Sequence, residues 1–188
     1  MKDKRYSNRG MALETCIEYS INLYQNKDEA VICKIPTKFI PLRNSKGYVT
    51  GCKVEEKSTV DFIGQYKGIP VAFEAKNTNS NRISLSEVKP HQERFLDLWD
   101  AQPGAAAFVI VAFNDLLDFY RVPWLYWKTA LELWQKSKGK KQDVKIGGLV
   151  WETPGKASLT PEDLPVSWRI DSSNVYRLPF LEGIKTEL

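Results

Sequence analysis

Histidine and cysteine are scarce in this chain of 188 residues, which has one histidine and three cysteines. The cysteines, Cys16, Cys33 and Cys52, form no CxxC pair, so the sequence predicts neither a zinc site nor a disulfide framework. We expect them to be reduced structural thiols. The chain also has no P-loop, GxSxG or GxGxxG motif, which argues against the classes of enzyme that these motifs mark.

Long apolar segments are absent as well. No run of 18 apolar residues occurs, so no transmembrane helix is predicted. The first five residues, MKDKR, continue into polar residues rather than into the apolar region of a signal peptide. The sequence therefore predicts a cytoplasmic protein with no membrane association.

The composition is that of a globular protein with a substantial core. Hydrophobic residues make up 43% of the chain, and 27 basic residues stand against 23 acidic ones. We expect one domain over residues 1–188. The net charge of +4 only weakly favours an anionic partner, so the distribution of charge says more than its total.

Helical and strand patterns alternate along the chain, which predicts an α/β fold. Asn8 is placed to cap a first helix, and Pro90 suits the first turn of a later one. A near-continuous apolar run over 105–114 indicates a strand covered on both faces. The predicted elements are a helix over 9–24, a strand over 30–35, a helix over 90–100, a hairpin over 105–122 and a helix over 123–137.

The segment Asp61–Lys76 is interpreted as one β-hairpin that carries two carboxylates and a lysine. If its turn is centred on Lys67-Gly68, residues whose numbers sum to 135 face each other across the ladder. Asp61 and Glu74 are such a pair, with Cβ atoms about 5 Å apart. A three-residue loop would shift the register by one and separate them, so the interpretation depends on an even loop.

Side chains alternate along a strand, which brings two more polar residues to the same patch. Lys76 points to the face of Glu74, and Thr59 points to the face of Asp61. Two carboxylates directly opposite each other repel, so the arrangement calls for a cation or a shared proton. Mg²⁺ suits a site built from hard oxygen ligands.

This convergence has a chemical use. A divalent ion held by the carboxylates can activate a water and offset charge on a phosphodiester, and the ammonium of Lys76 can steady the developing negative charge. The geometry points to a metal-dependent nuclease. The alternative is that Asp61, Glu74 and Lys76 form a solvated ion-pair cluster on an ordinary exposed hairpin.

A locally basic hairpin precedes the acidic one, with turn residues at 44–47 and apolar residues in both arms. It is either a protruding arm that enters a nucleic-acid groove or junction, or a solvated hairpin whose lysines discourage edge pairing. Its basic residues are Lys38, Arg43, Lys46, Lys53 and Lys57, against the two acids Glu55 and Glu56.

Other candidate residues flank the two helices on either side of these hairpins. Arg5 and Arg9 lie near the first helix start, where free backbone N–H groups can receive a phosphate. Glu14, at the edge of the apolar stripe, either reaches a site beneath the helix or is solvated. His91 is either a hydrogen-bonded core residue or a supporting group, and Gln92 is able to coordinate a metal through its carbonyl.

The chain after residue 122 offers two further patterns. Trp124, Trp127 and Trp134 lie on one stripe of the predicted helix over 123–137, which favours core or dimer packing over a base-stacking platform. A lysine-rich tract over 136–145 is interpreted as a mobile loop that either touches phosphate or is a solvated linker. Residues from 147 onward predict an irregular C-terminal layer.

In order along the chain, these motifs resemble the RecU-type Holliday junction resolvases of Gram-positive bacteria and their phages. The resemblance covers most of the chain and fades beyond Leu116. The insert over 38–57 diverges in sequence from the family's stalk. The motifs that carry the resemblance are Asn8-Arg9-Gly10-Met11-x-Leu13-Glu14, the strand from Val31 that ends in Pro36-Thr37, Thr59-x-Asp61, Phe73-Glu74-Ala75-Lys76 and His91-Gln92.

The resemblance implies a homodimer with a restriction-endonuclease-like α/β core, a mixed central sheet flanked by helices and a protruding β-hairpin stalk at about 38–57. It implies an enzyme that cleaves four-way DNA junctions and uses Mg²⁺ or Mn²⁺. It also implies a role in recombination and repair, with other recombination proteins as partners. By position, Thr59, Asp61, Glu74 and Gln92 are the metal site, and Asp61, Glu74 and Lys76 are catalytic. The alternatives are a related nuclease that cuts duplex or flap DNA and a non-catalytic protein that binds DNA junctions.

Overall fold

The computed structural model describes residues 13–56, 59–113, 118–146, 148–173 and 177–184, without the side chains of 54–56. The helices and strands within these residues form a mixed α/β fold. In chain order they are α1 (Leu13–Gln25), β1 (Ala30–Lys34), β2 (Lys38–Arg43), β3 (Val49–Glu56), β4 (Phe62–Tyr66), β5 (Ile69–Thr78), β6 (Ile83–Ser84), α2 (Pro90–Asp100), β7 (Ala106–Phe113), β8 (Asp118–Pro123), α3 (Trp124–Lys136), β9 (Asp143–Ile146), β10 (Leu149–Glu152), β11 (Ser158–Leu159) and β12 (Arg169–Ile170).

Six strands form the central sheet, in the order β1-β4-β5-β7-β8-β12. β5 and β7 run parallel, with Glu74 beside Val109, and the other neighbours are antiparallel. The parallel pair needs a crossover, which α2 supplies. The predicted mixed central sheet flanked by helices is confirmed, as are the helix over 90–100 and the hairpin of β7 and β8, and the strand predicted over 30–35 is observed over Ala30–Lys34.

Two apolar cores lie on the two faces of this sheet, because alternate residues of each strand point in opposite directions. On β5, Val71 and Phe73 belong to the core beneath α1, and Ala72 belongs to the core beneath α2 and α3. Glu74 therefore faces α2, on the opposite side of the sheet from α1. The C-terminal segment 177–184 completes the core beneath α1.

The predicted basic hairpin is present as β2 and β3, which form a separate two-stranded sheet. Every residue of β2 is exposed, so this hairpin packs little of its surface against the rest of the described chain. At its tip the Asn44 Oδ1 accepts hydrogen bonds from the backbone N–H groups of Lys46 and Tyr48, both at 3.0 Å. Residues 57 and 58 lie outside the described residues.

Two segments differ from the sequence prediction. The lysine-rich tract was expected to be a loop, but its residues Asp143–Ile146 form β9, which pairs with β10. No element is predicted between the acidic hairpin and the helix over 90–100, but this segment contains β6, which pairs with β11 of the C-terminal layer. Both pairings bring together segments whose strand signal is only two to four residues long.

No helix in the described part of the chain is long and apolar enough to cross a membrane. The first predicted helix is seen from Leu13 onward, and its proposed start and Asn8 cap lie outside the described ranges.

Candidate active site

The acidic hairpin has the register that its sequence predicts. Phe62 pairs with Phe73 and Tyr66 with Ile69, so the numbers of facing residues sum to 135. Its two-residue turn has positive φ values, 48° at Lys67 and 85° at Gly68. Two central residues in this conformation are typical of the type I′ turn, which matches the twist of the flanking strands.

One step beyond the Phe62–Phe73 pair, Asp61 and Glu74 come together and each binds the backbone of the other strand. The backbone N–H of Asp61 donates to Glu74 Oε2 at 3.1 Å. The backbone N–H of Ala75 donates to Asp61 Oδ2 at 2.9 Å. These two bonds hold both carboxylates on the face of the sheet that α2 covers.

A lysine and an amide converge on the remaining oxygen of Glu74. The Lys76 ammonium, whose side chain is 18% exposed, donates to Glu74 Oε1 at 2.7 Å. The Gln92 Nε2 donates to the same oxygen at 2.5 Å. Glu74 is therefore fixed at both oxygens within a nearly closed pocket, with 1% of the residue exposed.

Gln92 is held at its other end by the start of α2. Its Oε1 accepts a hydrogen bond from the backbone N–H of Lys89 at 2.9 Å, and Lys89 caps the helix. The side chain thus closes the first turn of α2 and presents its amide nitrogen to Glu74. In this orientation the Gln92 carbonyl faces the start of α2 and its amide nitrogen faces Glu74, so the role of Gln92 as a metal ligand stays a prediction.

Burial and a neighbouring charge perturb Glu74. Removal from water raises the pKa of Glu74 to about 7, and the negative charge of Asp61 adds to the effect, while the Lys76 ammonium opposes it. The side chain therefore exchanges a proton near neutral pH. A buried acid with a perturbed pKa and a specific charged partner is a common feature of functional sites.

The donor set fits a hard divalent cation. Asp61 and Glu74 supply carboxylate oxygens, the ligands that Mg²⁺ takes in proteins, and Mg²⁺ commonly keeps several waters and uses one or two carboxylates. The Asp61 Oδ2 accepts the backbone N–H of Ala75, and the Asp61 side chain also interacts with Glu74. Two carboxylates are all that converge here, and the described residues contain no group of three or more His, Cys, Asp or Glu side chains that could hold a metal ion.

Two other predicted site residues, Thr59 and His91, lie near members of this cluster in the sequence. Thr59 is exposed in the bend before β4, two residues before Asp61. His91 is partly exposed in the first turn of α2, beside Gln92. The metal role of Thr59 and the supporting role of His91 stay predictions.

Glu14 lies on the α1 side of the sheet, opposite to Glu74. It forms an ion pair with Lys34 at 2.7 Å, and Glu18 of the same helix pairs with this lysine as well. Both carboxylates are about half exposed. The structure therefore brings Glu14 to Lys34, and its predicted supporting role at the site stays untested.

The candidate DNA-binding residues that the structure describes lie on the β2–β3 hairpin. Lys38, Lys46 and Lys53 are exposed along it, and Arg43 Nη1 donates to the backbone carbonyl of Gly47 at 2.9 Å, which reinforces the tip. Arg5 and Arg9 lie outside the described residues.

Lys89 is a site residue that the sequence did not predict. Its backbone N–H orients the Gln92 amide, and the signal that would have found it is the Gln three positions after a helix N-cap. Lys34, the cation that pairs with both acids of α1, was not predicted either. Its position at the end of β1 carries no local signal, because the contact depends on how α1 packs on the sheet.

The fold and the site together place the chain in a class of α/β proteins that hold two acids and a lysine on one face of a mixed sheet, the arrangement expected of a nuclease. A family model described as Recombination protein U matches residues 8–149, which is most of the chain. The chain belongs to the RecU family.

Curated relatives agree with this assignment. The Holliday junction resolvase RecU of Mycoplasmopsis pulmonis is 43% identical over 113 residues, which cover 60% of this chain and 68% of the relative. The protein of the same name from Ureaplasma parvum is 33% identical, with 71% and 75% covered. That of Streptococcus pneumoniae is 31% identical, with 73% and 71% covered.

Proposed function

We propose that this chain is a structure-specific DNA endonuclease that resolves four-way (Holliday) junctions in recombination and repair. The single observation that carries the proposal is the buried Glu74, bound by Lys76 and paired with Asp61 at the centre of the site. Membership of the RecU family and the names of its curated relatives support the choice of substrate. Because the proposed substrate is recombining DNA, we expect the enzyme to act in the cytoplasm, together with other recombination proteins.

The proposed cofactor is Mg²⁺, with Mn²⁺ as a substitute, held by Asp61 and Glu74. Bound there, the ion supplies an activated water and neutralises charge on the phosphodiester. Thr59 and Gln92 complete the proposed ligand set, as the resemblance implies.

The chain's own residues prepare this site in three ways. Backbone N–H groups on the two strands of the hairpin fix the two carboxylates on one face of the sheet. Lys76 holds an ammonium beside Glu74, where it would offset the negative charge on the oxygens of the pentacovalent phosphate. The core beneath α2 and α3 excludes water from one side, which strengthens each of these interactions.

We further propose a restriction-endonuclease-like core whose β2–β3 hairpin enters the centre of the junction. Exposure of all of β2 and the basic residues of both strands support contact with phosphates. Symmetric resolution needs two nicks, and one chain has one Asp61–Glu74 pair among its described residues. A homodimer supplies the second site.

The first test is Mg²⁺-dependent cleavage of a labelled mobile four-way junction, with linear duplex of the same sequence as the comparison. We expect paired symmetric nicks in the junction alone. Asp61→Ala and Glu74→Ala are expected to abolish cleavage and to leave junction binding largely intact, because phosphate contacts dominate affinity. Gel-shift titration of the same proteins measures that binding.

Each other outcome would assign a different activity to this chain. Cutting of both substrates would identify a general or restriction-like nuclease, and cutting of a flap substrate added as a third lane would identify a flap endonuclease. Junction binding without cutting would identify a non-catalytic protein that binds DNA structures. Unchanged cleavage by either alanine variant would refute the site.

A further inference from the structure

The loop that joins β5 to α2 connects the two sides of the candidate site. Lys76 lies on β5 before this loop, and Gln92 lies on α2 after it. The loop contains β6 and a 3-10 turn over Leu85–Glu87, and Leu85 is fully buried at its centre. The contacts that fix Leu85 therefore help to fix the position of the start of α2.

Both backbone polar groups of Leu85 are bound by elements outside the loop. The indole N–H of Trp127, on α3, donates to the Leu85 carbonyl at 3.1 Å. The Leu85 N–H donates to the carbonyl of Ala157 at 2.9 Å. Trp127 is fully buried too, so loss of its bond would leave a buried carbonyl without its partner.

The second anchor belongs to the C-terminal layer. β11 pairs with β6, with Leu159 beside Ile83 and Ser158 beside Ser84, and Leu159 is fully buried. These residues lie after position 149, where the match to the family model ends. The segment Ala157–Leu159, which the family model does not cover, thus binds the loop next to the site.

A short path of contacts leads from this anchor to Glu74. Val88 follows the 3-10 turn and is buried in the same core as Leu85. The backbone N–H of Lys89, four residues after Leu85, orients the amide of Gln92. Gln92 then donates to Glu74 Oε1.

We propose that Trp127 and the segment Ala157–Leu159 are positioning residues for the active site: they hold Leu85, and through the start of α2 they fix Gln92 against Glu74. This inference rests on the proposed function for its catalytic meaning. Residues that hold metal-binding side chains in place are of this kind, and their loss typically lowers metal affinity or activity about tenfold or more.

Trp127 would stabilise the core even without such a role, so the test needs a matched control. Trp124 provides it, because this fully buried residue of the same helix donates its indole N–H to Asp97 Oδ1 at 2.7 Å, away from the loop. Trp127→Phe removes a buried indole hydrogen bond to the loop, and Trp124→Phe removes a partly buried one to Asp97, which lies in the last turn of α2. They differ in whether the lost bond touches the loop.

The experiment compares these variants with the wild type in three measurements on the full chain. Hydrogen–deuterium exchange of the metal-free protein follows the amides of residues 83–92. Mg²⁺ titration of thermal stability follows binding without DNA, and Mg²⁺ titration of junction cleavage follows activity.

We expect Trp127→Phe to speed exchange at residues 83–92 and to raise the Mg²⁺ midpoints about tenfold, with the KM for the junction unchanged. Trp124→Phe is expected to lower thermal stability without either change. Equal exchange and equal Mg²⁺ midpoints in the two variants would overturn the inference. Absence of cleavage by the wild type would overturn the proposed function, while exchange and Mg²⁺ binding would still decide the positioning role.

A second pair of variants covers failure of Trp127→Phe to fold. Leu159→Ala loosens the C-terminal anchor, and Leu164→Ala removes a buried side chain of the same layer and the same core that lies outside β11. Faster exchange at 83–92 in the first variant alone is expected. The same exchange in both would count against the proposal.

Discussion

Glu74 shows how one residue combines a structural cost with a chemical use. Its side chain is buried, yet it accepts three hydrogen bonds, from Asp61, Lys76 and Gln92. Burial favours the protonated form, and Lys76 favours the charged form. Because burial dominates, the folded protein without metal holds this proton more tightly than the unfolded chain does.

That difference predicts a pH dependence of stability for the metal-free protein. The folded pKa of Glu74 is about 7, above the ordinary value of 4.5, so its contribution to stability falls as the pH rises from 4.5 to 7. Over that interval the wild type is expected to lose roughly 3 kcal/mol relative to Glu74→Gln, which has no proton to release. Urea unfolding in EDTA at pH 5 and pH 8 measures the difference.

The control for this prediction is Glu87→Gln, which removes one carboxylate from an exposed position of the neighbouring 3-10 turn. It should follow the wild type at both pH values. Parallel stability curves for Glu74→Gln and the wild type would show that burial of Glu74 does not control its proton.

The pairing of β1 with β4 depends on a close approach of two backbones. Gly64 of β4 faces Ile32 of β1. A Cβ at Gly64 would lie 2.1 Å from the carbonyl oxygen of Val31 and 2.6 Å from the Ile32 Cα. Both obstacles belong to the backbone, so a side chain there would push the strands apart.

Gly64→Ala is therefore expected to destabilise the protein by about 1–3 kcal/mol, the usual range for overpacking. Gly51→Ala is the matched control, because Gly51 lies in β3 with open space where its Cβ would be. Chemical denaturation of both variants measures the effect. A Gly64→Ala protein as stable as Gly51→Ala would contradict the tight approach of β1 to β4.

The β2–β3 hairpin is exposed and forms a sheet of its own. A two-stranded hairpin is marginal alone in water, and this one exposes Phe39, Leu42, Tyr48 and Val49. Exposed apolar residues among basic ones suit a surface that is covered when a partner binds. Contact with a DNA junction would supply that cover.

Removal of the tip over Arg43–Gly47 is expected to weaken the preference for junctions over duplex DNA. The site on β4 and β5 lies outside this hairpin, so residual cleavage should keep its dependence on Mg²⁺. Competition binding with both DNA forms, at one fixed salt concentration, measures the preference. An unchanged preference would remove the junction role from this hairpin.

At the scale of the whole molecule, the C-terminal segment completes the core beneath α1. Leu178, Phe180 and Leu181 are buried there, and the backbone N–H of Leu178 donates to Ser20 Oγ on α1 at 2.9 Å. Arg121 Nη1 donates to the carbonyls of Phe180 and Glu182, both at 2.8 Å. The two ends of the described chain are thus joined across one face of the sheet.

Phe180→Ala is expected to cost about 3–5 kcal/mol, because it opens a cavity among aromatic rings that include Phe73 and Tyr24. Val166→Ala is the control, since Val166 is 84% exposed and should change stability by less than about 0.5 kcal/mol. Thermal and urea unfolding measure both. Similar values for the two variants would mean that segment 177–184 is not part of the core.

Much of the fold follows from patterns that act over a few residues. The Lys67-Gly68 turn sets the register of the acidic hairpin, and Pro90 marks the first residue of α2. The apolar run that forms β7 identifies a strand covered on both faces. Backbone preference and side-chain alternation decide these features locally, so the meeting of Asp61 and Glu74 was predictable from the sequence.

Tertiary structure alone decided what surrounds that pair. Gln92 donates to Glu74 from 18 positions away, Ser84 pairs with Ser158, and Glu14 turns to Lys34 on the other face of the sheet. The raised pKa of Glu74 belongs to this level too, because it depends on burial by α2 and the cores. The sequence by itself determined which groups are present and which strand face they share; packing determined which of them are desolvated and in contact, because desolvation and long-range contact exist only once the layers have assembled.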